Sequence, residues 1–517
     1  MRWLLGFGVL LVMALVAAAT QAAEWWVDQA AAAGGDGSQA RPFHTINNAK
    51  AVLSTGDTVF IKGGTYHETV DFWHVPAGSG SRTTVRAAPG EQPIIDGGQT
   101  SDFVLQAGET PNMTFQELVI RNGATAINFY QADGGEVIGC TTQGTGEAVS
   151  FYFASHGHVA SCTLEGSVAG KASDGTVLEN NEIYGSGAEG ITLHADSKNC
   201  RYSHNVVHDN TSVNIYLDSI SYTVVDANLV YMTLPTSTQT IGIMLADEAY
   251  ANVTSPKLTD ITITNNVVIN NESGIRFWDG NFPGQSALRN VVIANNTVLD
   301  NATTAIKWDS GPHQNTRVAN NILAGHSAGQ RLLLQANSTG GVALDHNLWL
   351  LDGVAQPFLW GAASYDHAGW VSATAQGAGD VLGDPLLVGT WGLPVANLKL
   401  SSASPAIDTG AALSQASTDF EGASRPLGVG VDIGAFELGG SAPDGGMPVA
   451  GTGRNAAAGG NSSGKSSGCG CHLGGQGTTN ATIGLAVLGS LGVWLRRRTK
   501  RSAGPRRIGE SVARLHS

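Results

Sequence analysis

An asparagine recurs through the middle of the chain, each time directly before a short run of apolar residues. The seven positions are Asn181, Asn205, Asn228, Asn266, Asn296, Asn321 and Asn347. Successive asparagines lie 24, 23, 38, 30, 25 and 26 residues apart. A repeat of roughly 20–30 residues that contains short strands is typical of a solenoid, in which each repeat packs only on its neighbours. The spacing therefore limits the chain to a fold built from stacked coils.

The residue type at this repeated position favours a corner between two strands. Asn adopts the left-handed conformation of a tight bend more easily than most residues. Asn side chains stacked at the same bend can hydrogen-bond from coil to coil. We therefore predict an all-β fold, a right-handed parallel β-helix. Cys140 and Cys162 occupy the same position in earlier coils, and we expect buried thiols there rather than a disulfide.

A second strand follows each of these corners after a polar turn. It reads AINFY, AVSFY, GITLHAD, NIYLD, GIMLADE, GIRFWD and AIKWD in successive coils. Alternate side chains of a strand point to opposite faces, so the recurring Ile and the residue two further on point inward. The outward row supplies the candidate substrate-binding residues Tyr152, His194, Tyr216, Trp278 and Asp309. Aromatic rings beside carboxylates suit a sugar chain, whose ring faces stack while its hydroxyls need polar partners.

The position of the long loops predicts where a substrate would bind. The longest insertions, residues 232–240 and 247–260, fall in the 38-residue coil. Long loops on a solenoid usually build its binding face. We therefore expect a cleft centred on the coils that carry Asp218, Asp247, Arg276 and Lys307.

The N-terminal segment DGSQARPFHTINNAKAVLSTGDTVFIKGGTYHETV predicts a cap on the first coil. Its pattern indicates a short amphipathic helix that begins near Pro42, followed by a Gly turn and a strand. This sequence pattern resembles the start of many secreted bacterial β-helix proteins, including pectate lyases of polysaccharide lyase family 9. The resemblance extends from Trp25 to about Leu350 and implies a pectate-lyase-like solenoid with an N-terminal cap.

The resemblance to family 9 also implies a set of site residues. These lyases are understood to use a cluster of acidic ligands for Ca²⁺ and a lysine base. Asp218, Asp247 and Glu248 are then the candidate Ca²⁺ ligands, because Ca²⁺ takes several oxygen ligands. Lys307 is the candidate catalytic base and Arg276 the next choice, since both point outward in the predicted cleft.

These residues favour a polysaccharide lyase, a carbon–oxygen lyase that cleaves a uronate-containing glycan by β-elimination with the help of Ca²⁺. Two alternatives stay open. A glycoside hydrolase needs two carboxylates about 5–10 Å apart, for which Asp218 with Asp247 or Asp309 is a candidate pair. The other alternative is a non-catalytic glycan-binding surface protein, such as an adhesin or a matrix component.

Both ends of the chain resemble targeting segments. The apolar run after Arg2 ends in small residues at a small-x-small cleavage site, which is typical of a secretory signal peptide. Near the other end, Cys469-Gly470-Cys471 precedes an apolar run and an Arg cluster. This tail resembles the MYXO-CTERM sorting signal of bacterial surface proteins. We therefore expect a secreted protein held at the cell surface or outer envelope by a membrane-associated tail.

The domain organisation follows from these segments. Residues 380–438 resemble the choice-of-anchor Q region that follows other such β-helices, and we expect Asp408, Asp419 and Asp432 in it to be turn residues. The predicted segments are a signal peptide (1–22), the cap and first coil (24–98), β-helix repeats (99–375), the anchor-type region (380–438), a Gly/Ser-rich linker (439–468) and the sorting tail (469–517).

The charge of the chain restricts its partners. The net charge is −14, and setting aside Arg2 and the basic segment 496–517, with its eight Lys or Arg and one Glu, leaves −22 for the rest. A body this acidic is a poor nucleic-acid binder, because phosphate contacts need Lys and Arg. We expect a monomer that binds a polysaccharide, an acidic one where local cations offset the repulsion.

Overall fold

A computed structural model describes most of the chain and places its strands in three sheets of 13 strands each. The described residues are 22–78, 82–233, 240–250, 253–326, 332–350 and 352–440. Within these ranges three short helices accompany the strands, the α-helices Ile46–Lys50 and His367–Thr374 and the 3-10 helix Val395–Leu398. Apart from the two ends of the stack, each coil contributes one strand to each sheet, as a parallel β-helix requires, and the predicted fold class is confirmed.

The sheets are named here by the order in which the chain first enters them. The first sheet comprises Glu24–Val27, Thr58–Ile61, Thr83–Ala87, Met113–Gln116, Glu136–Ile138, His158–Ala160, Val177–Glu179, Arg201–Ser203, Ser221–Asp226, Thr259–Thr264, Val292–Ala294, Thr316–Ala319 and Val342–Asp345. The second comprises Gly64–Tyr66, Pro93–Asp96, Val119–Arg121, Thr141–Gln143, Thr163–Glu165, Glu182–Tyr184, Val206–His208, Leu229–Tyr231, Val267–Ile269, Thr297–Leu299, Ile322–Ala324, Leu348–Trp349 and Val381–Leu382. The third comprises Val70–Asp71, Phe103–Gly108, Thr125–Tyr130, Glu147–Tyr152, Ser167–Lys171, Ile191–His194, Val213–Asp218, Ile241–Ala246, Ser273–Trp278, Thr304–Trp308, Leu332–Ala336, Phe358–Trp360 and Ala363–Tyr365.

The chain divides into two compact units. Of the described residues, those up to 183 and 197–205 form the first unit, and residues 184–196 and those from 206 to 440 form the second. In the first unit, the cap helix begins at Ile46, later than the predicted start near Pro42. The reason is local, because the Thr45 side chain accepts a hydrogen bond from the Asn48 amide and so ends the extended segment before the helix.

The asparagine ladder is a row of side chains, mostly asparagine, that stack on successive coils at the corner between the first and second sheets. In the second unit the backbone N–H of each ladder residue donates to the side-chain oxygen of the next, at 2.9–3.0 Å. The row runs through Asn228, Asn266, Asn296, Asn321, Asn347 and Asp380. In the first unit Cys140, Cys162, Asn181 and Asn205 are linked in the same way, and both thiols are buried and free.

The two residues of a doubled asparagine have different roles. Asn265 has the left-handed conformation, with φ of 57°, whereas Asn266 is the buried ladder residue. The same division holds for Asn295 with Asn296, where φ of the first residue is 54°. The predicted corner at the doubled asparagine is confirmed, with the first residue turning the chain and the second amide pointing inward into the ladder.

The third sheet has the predicted alternation of inward and outward side chains. In the second unit Ile215, Ile243, Ile275 and Ile306 lie in register on successive strands and are at most 1% exposed. Burial of such Ile side chains contributes roughly 2 kcal/mol each to folding. The residue that follows each of these isoleucines consequently faces outward, and these residues form the row from which the candidate site is built.

Residues 384–438 cover the outward face of the second sheet in the second unit. Phe420, Ile433 and Phe436 belong to the same buried apolar cluster as Leu299 and Ile322, whose side chains leave that sheet outward. The region is thus packed onto the coils rather than tethered to them.

Turn-forming acids hold this region together. Asp419 accepts hydrogen bonds from the amides of Glu421 and Ala423, and Asp432 accepts them from the amides of Asp408 and Leu438. Asp408 in turn accepts one from the Gly430 amide. The prediction that these aspartates are turn residues is confirmed.

The predicted signal peptide and sorting tail lie outside the described residues, apart from residue 22, and most of the linker does too. Among the helices that the structure describes, none is long and apolar enough to cross a membrane.

Candidate active site

The candidate site begins with one outward row of the third sheet. The row runs in register through Tyr216, Met244, Arg276, Lys307 and Gln335, one residue from each successive strand. Neighbouring strands lie about 4.8 Å apart, so adjacent side chains of the row touch. The alternation in the sequence predicted this row as far as Lys307, and the register places Arg276 directly beside Lys307.

Arg276 and Lys307 form the cation pair. Their side chains are only 11% and 21% exposed, and Asp309 is the acid nearest to both. An Arg276 Nη lies 3.8 Å and the Lys307 Nζ 4.0 Å from the Asp309 carboxylate, too far for hydrogen bonds. Neither cation donates a hydrogen bond to any residue that the structure describes, and the Arg276 Nε is buried without a partner there. Mostly buried cations are normally hydrogen-bonded, so this pair has capacity for an anionic ligand.

The surroundings favour the uncharged form of Lys307. Burial and then the charge of Arg276 lower the pKa of Lys307, while Asp309 and Glu272 act in the opposite direction. Burial, followed by the charge of Asp309, raises the pKa of Asp279. A lysine with a lowered pKa is a better proton acceptor near neutral pH than an ordinary lysine.

Asp309 is held in place by two groups outside the cation pair. The Asn337 amide Nδ2 donates to the Asp309 carboxylate at 3.0 Å. The ring Nε2 of His313 lies 3.1 Å from the Asp309 backbone carbonyl. These contacts fix the position of the carboxylate, within ion-pair distance of both cations.

A second cluster, the acid cluster, consists of Asp218, Ser219, Glu248, Tyr216 and Tyr250. The Tyr250 hydroxyl donates to Asp218 and lies 3.4 Å from Glu248, and the Tyr216 hydroxyl donates to Glu248 at 2.7 Å. The Ser219 hydroxyl and the Glu248 amide donate to the other Asp218 oxygen, at 3.0 and 2.8 Å.

The acid cluster retains a proton at neutral pH. Burial, reinforced by the charge of Glu248, raises the pKa of Asp218 to about 8, and burial raises the pKa of Glu248 as well. Since Asp218 is 0% exposed, its carboxyl does not contact solvent or a bound polymer.

Asp247 lies apart from the acid cluster. One of its carboxylate oxygens accepts hydrogen bonds from the amides of Lys257 and Leu258, at 2.7 and 2.9 Å, and so anchors that loop. Its backbone carbonyl accepts from the Asn281 amide, next to Gly280, which has φ of +59°. A Cβ at Gly280 would lie 1.6 Å from the Asp247 carbonyl oxygen, so only glycine fits this approach.

The predicted calcium ligands do not converge on one point. Ca²⁺ takes about six to eight oxygen ligands, whereas both Asp218 oxygens accept hydrogen bonds inside the acid cluster. One Asp247 oxygen binds loop amides, and the other is buried without a partner among the described residues. Within the described part of the chain, no group of three or more His, Cys, Asp or Glu side chains could hold a metal. Calcium and its ligands Asp218, Asp247 and Glu248 stay a prediction from the resemblance.

The predicted sugar-binding residues are not one open strip. Tyr216 is only 3% exposed, because Met244 and the half-buried Trp278 pack against it. His194 packs its ring on Tyr250, with centroids 5.0 Å apart. Tyr152 belongs to the first unit, where its hydroxyl donates to Glu147 at 3.0 Å. In the second unit, the outward side chains that a ligand could reach therefore lie nearer the cation pair than the sequence predicted.

Three residues that matter here were missed by the sequence pattern. Tyr250, His313 and Asn337 all lie outside the repeated strand positions, in insertions and turns. Only Asn337 could have been found from the sequence. It directly follows its strand, as Asp309 directly follows the neighbouring strand of the preceding coil.

Comparisons with known proteins agree with this fold. The family described as "Right handed beta helix region" matches residues 161–323, in agreement with the predicted right-handed parallel β-helix. A search of curated protein sequences returned no significant match.

Several solved structures are similar to the chain. Pectate lyase Pel9A has a TM-score of 0.45 at 14% identity, over 81% of this chain and 97% of its own. XylC in complex with xylose has a TM-score of 0.48 at 12% identity, over 80% and 98%. The A-module of mannuronan C-5 epimerase AlgE6 from Azotobacter vinelandii has a TM-score of 0.38 at 16% identity, over 66% and 95%. At these identities the likeness concerns the fold alone.

Proposed function

We propose that this protein is a carbohydrate-active enzyme, a polysaccharide lyase that cleaves a uronate-containing glycan by β-elimination. The observation that carries the proposal is the cation pair. Arg276 and Lys307 are adjacent, mostly buried and without hydrogen bonds to described residues, and Lys307 has a lowered pKa. A uronate offers what this pair lacks, a carboxylate next to a weakly acidic C–H group.

The two cations have different roles in the elimination. The Arg276 guanidinium binds the uronate carboxylate, for which its planar fork of donors is suited, and reduces the negative charge next to the reacting carbon. Uncharged Lys307 takes the proton from C5 of the uronate. The electron pair of that C–H bond forms the C4–C5 double bond, the C4–O4 bond breaks, and the departing oxygen takes a proton from water.

The acid cluster does not provide the pair of carboxylates that a glycoside hydrolase requires. Asp218 is fully buried and Glu248 is engaged by two tyrosine hydroxyls, so neither is placed to flank a glycosidic bond on a bound chain. The non-catalytic alternative uses the same cation pair to bind an acidic glycan without turnover. It therefore differs from the lyase only in the product, which makes the two separable by one assay.

The experiment is incubation of the protein with polygalacturonate, with alginate and with a neutral glycan as control. Each reaction is run with Ca²⁺ and with chelator, and the ultraviolet absorbance of the unsaturated uronate is followed. We expect product from a uronic polymer and none from the neutral glycan. The rate should increase with pH through the lowered pKa of Lys307.

Two results would contradict this proposal. Absence of unsaturated product from every uronic polymer would rule out the lyase, and retention of such a polymer on the immobilised protein without turnover would then support the glycan-binding alternative. Release of reducing ends from the neutral glycan at an equal rate would indicate hydrolysis and would rule out a role for the uronate carboxylate.

A further inference from the structure

His313 is a buried residue that the proposed reaction does not yet use. It lies in the turn after the strand Thr304–Trp308 and is 5% exposed. Its ring Nδ1 accepts a hydrogen bond from the Leu288 amide at 3.0 Å, and its Nε2 lies 3.1 Å from the Asp309 carbonyl. Because an amide only donates and a carbonyl only accepts, these partners specify the neutral tautomer that carries its proton on Nε2.

The ring therefore joins two segments that flank the cation pair. Leu288 belongs to the loop that follows Trp278, and Asp309 follows the Lys307 strand directly. The ring is also wedged edge-on against the core residue Phe277, with centroids 5.4 Å apart and an interplanar angle of 84°. A side chain with both nitrogens and its edge engaged has one position, so the Asp309 backbone that it binds is fixed as well.

The charges around His313 keep it neutral. Burial and the positive charge of Arg289, which ends the neighbouring loop, lower the pKa of His313, against the opposing effect of its bond to Asp309. The neutral form is thus retained as pH falls below the ordinary range for histidine. Around Lys307 the charged groups are Arg276, Asp309 and Glu272.

We propose that His313 is a positioning residue, which holds Asp309 at its distance from the cation pair and thereby sets the proton affinity of Lys307. The reasoning is electrostatic, because the Asp309 carboxylate stabilises the ammonium form of Lys307 in proportion to its proximity. If Asp309 drifts away, the uncharged amine becomes favoured at lower pH. The link to catalysis rests on the proposed function, whereas the effect on Lys307 itself does not.

The test compares two substitutions that each preserve one of the two ring contacts. In His313→Gln the amide nitrogen reaches the Nε2 position and can still donate to the Asp309 carbonyl. In His313→Asn the amide oxygen takes the Nδ1 position and preserves only the acceptor for the Leu288 amide. The full-length protein is acylated with an amine-reactive anhydride over a range of pH, and modification of Lys307 is measured by peptide mass spectrometry.

We expect the pH midpoint of Lys307 modification to fall by about one unit in His313→Asn, as for partial loss of a nearby opposite charge, and to stay near the wild-type value in His313→Gln. Asp309→Asn serves as the reference for complete loss of that charge. Lys399, which is paired with Glu421, is the internal control and should not shift. The rising limb of the pH–rate profile for uronate elimination should move with the Lys307 midpoint.

A midpoint unchanged in both histidine variants would overturn the proposal, because a purely structural residue would lower thermal stability without moving the titration. Nitrogen NMR of the wild-type imidazole provides a second check that needs no variant to fold, and a proton on Nδ1 would also overturn it. Absence of elimination by the wild-type protein would contradict the proposed function alone, since acylation does not depend on turnover.

Discussion

The asparagine ladder and the cation pair both stack polar side chains on successive coils of the second unit, yet they differ in hydrogen bonding. Asn296 receives bonds from the backbone and side chain of Asn266 and donates to Asn321 and to two backbone carbonyls. Arg276 and Lys307 donate none to the residues described around them. The ladder is complete without a ligand, whereas the cation pair is not.

This difference distinguishes side chains that stabilise a repetitive fold from side chains that bind a ligand. A stacked polar side chain whose partners are its own neighbours stabilises the stack, because each group that leaves water finds a replacement. A stacked charge without such partners is retained at a cost to stability, and function is the usual reason for that. Substitutions in the two rows should therefore have opposite signatures, in stability for one and in activity for the other.

The largest expected effect is on turnover, from Lys307→Met. Loss of the base should reduce the rate of uronate elimination by about 10³-fold, as is typical for general bases, while the melting temperature stays within a few degrees. Lys257→Met is the matched control, because Lys257 lies in the same unit but is 41% exposed and paired with Asp196 at 3.6 Å. Equal activity of the two variants would exclude Lys307 as the base.

The next effect is on folding, from Asn296→Ala. It removes one rung of the ladder and leaves the buried Asn266 amide without its acceptor. Unfolding by urea should show a loss of about 3 kcal/mol in the free energy of unfolding, from several lost hydrogen bonds. The control is Asn315→Gly, an exposed residue with φ of 47°, which should change stability little. If both variants were equally stable, the ladder would not be the structural element described.

A smaller effect on substrate binding is expected from Arg276→Gln. Loss of the guanidinium should raise KM for a uronic polymer by about tenfold, equal to one charge-assisted contact of roughly 1.4 kcal/mol. Arg317→Gln is the control, because Arg317 is already bound to Asp345 at 2.6 Å and should leave KM unchanged. A lowered kcat beside the raised KM would show that Arg276 also stabilises the charge that develops at the reacting carbon, whereas unchanged kcat and KM would exclude Arg276 from the site.

The last expected effect is a change in the pH dependence of stability in Asp218→Asn. The pKa of Asp218 is about 8 in the folded protein, against 3.8 ordinarily, so between these pH values the folded protein holds a proton that the unfolded chain releases. Wild-type stability should therefore decline from about pH 4 to about pH 8. The melting temperature of the variant relative to wild type should rise over that range. A constant difference between the variant and wild type over that range would show that Asp218 carries no such proton.

The repeated parts of the molecule could be predicted from the sequence, because a solenoid places the same chemistry at the same offset in each coil. The ladder at Asn266 and the outward direction of Arg276 both follow from a periodicity that is visible in the letters. The cation pair was identified for the same reason, since adjacent coils place equivalent strand positions side by side.

The unrepeated contacts could not be predicted in this way. Tyr250 reaches Asp218 from an insertion 32 residues away, and His313 binds Asp309 from within a single turn. Neither contact has a counterpart in another coil, so no repeat in the sequence indicates it. The burial of Asp218 is a consequence of such contacts, and this is why an acid expected to bind calcium proved to be closed within the acid cluster.

The last strand of the third sheet, Ala363–Tyr365, pairs with Phe358–Trp360 in the antiparallel direction, whereas Phe358–Trp360 pairs with Leu332–Ala336 in the parallel direction. A stack of parallel coils is in principle a template on which another copy could continue growing. At this edge the reversed strand presents its amides and carbonyls in the wrong sequence for a further parallel coil. The reversal thus removes the parallel template at this edge of the third sheet, through chain direction and not through charge.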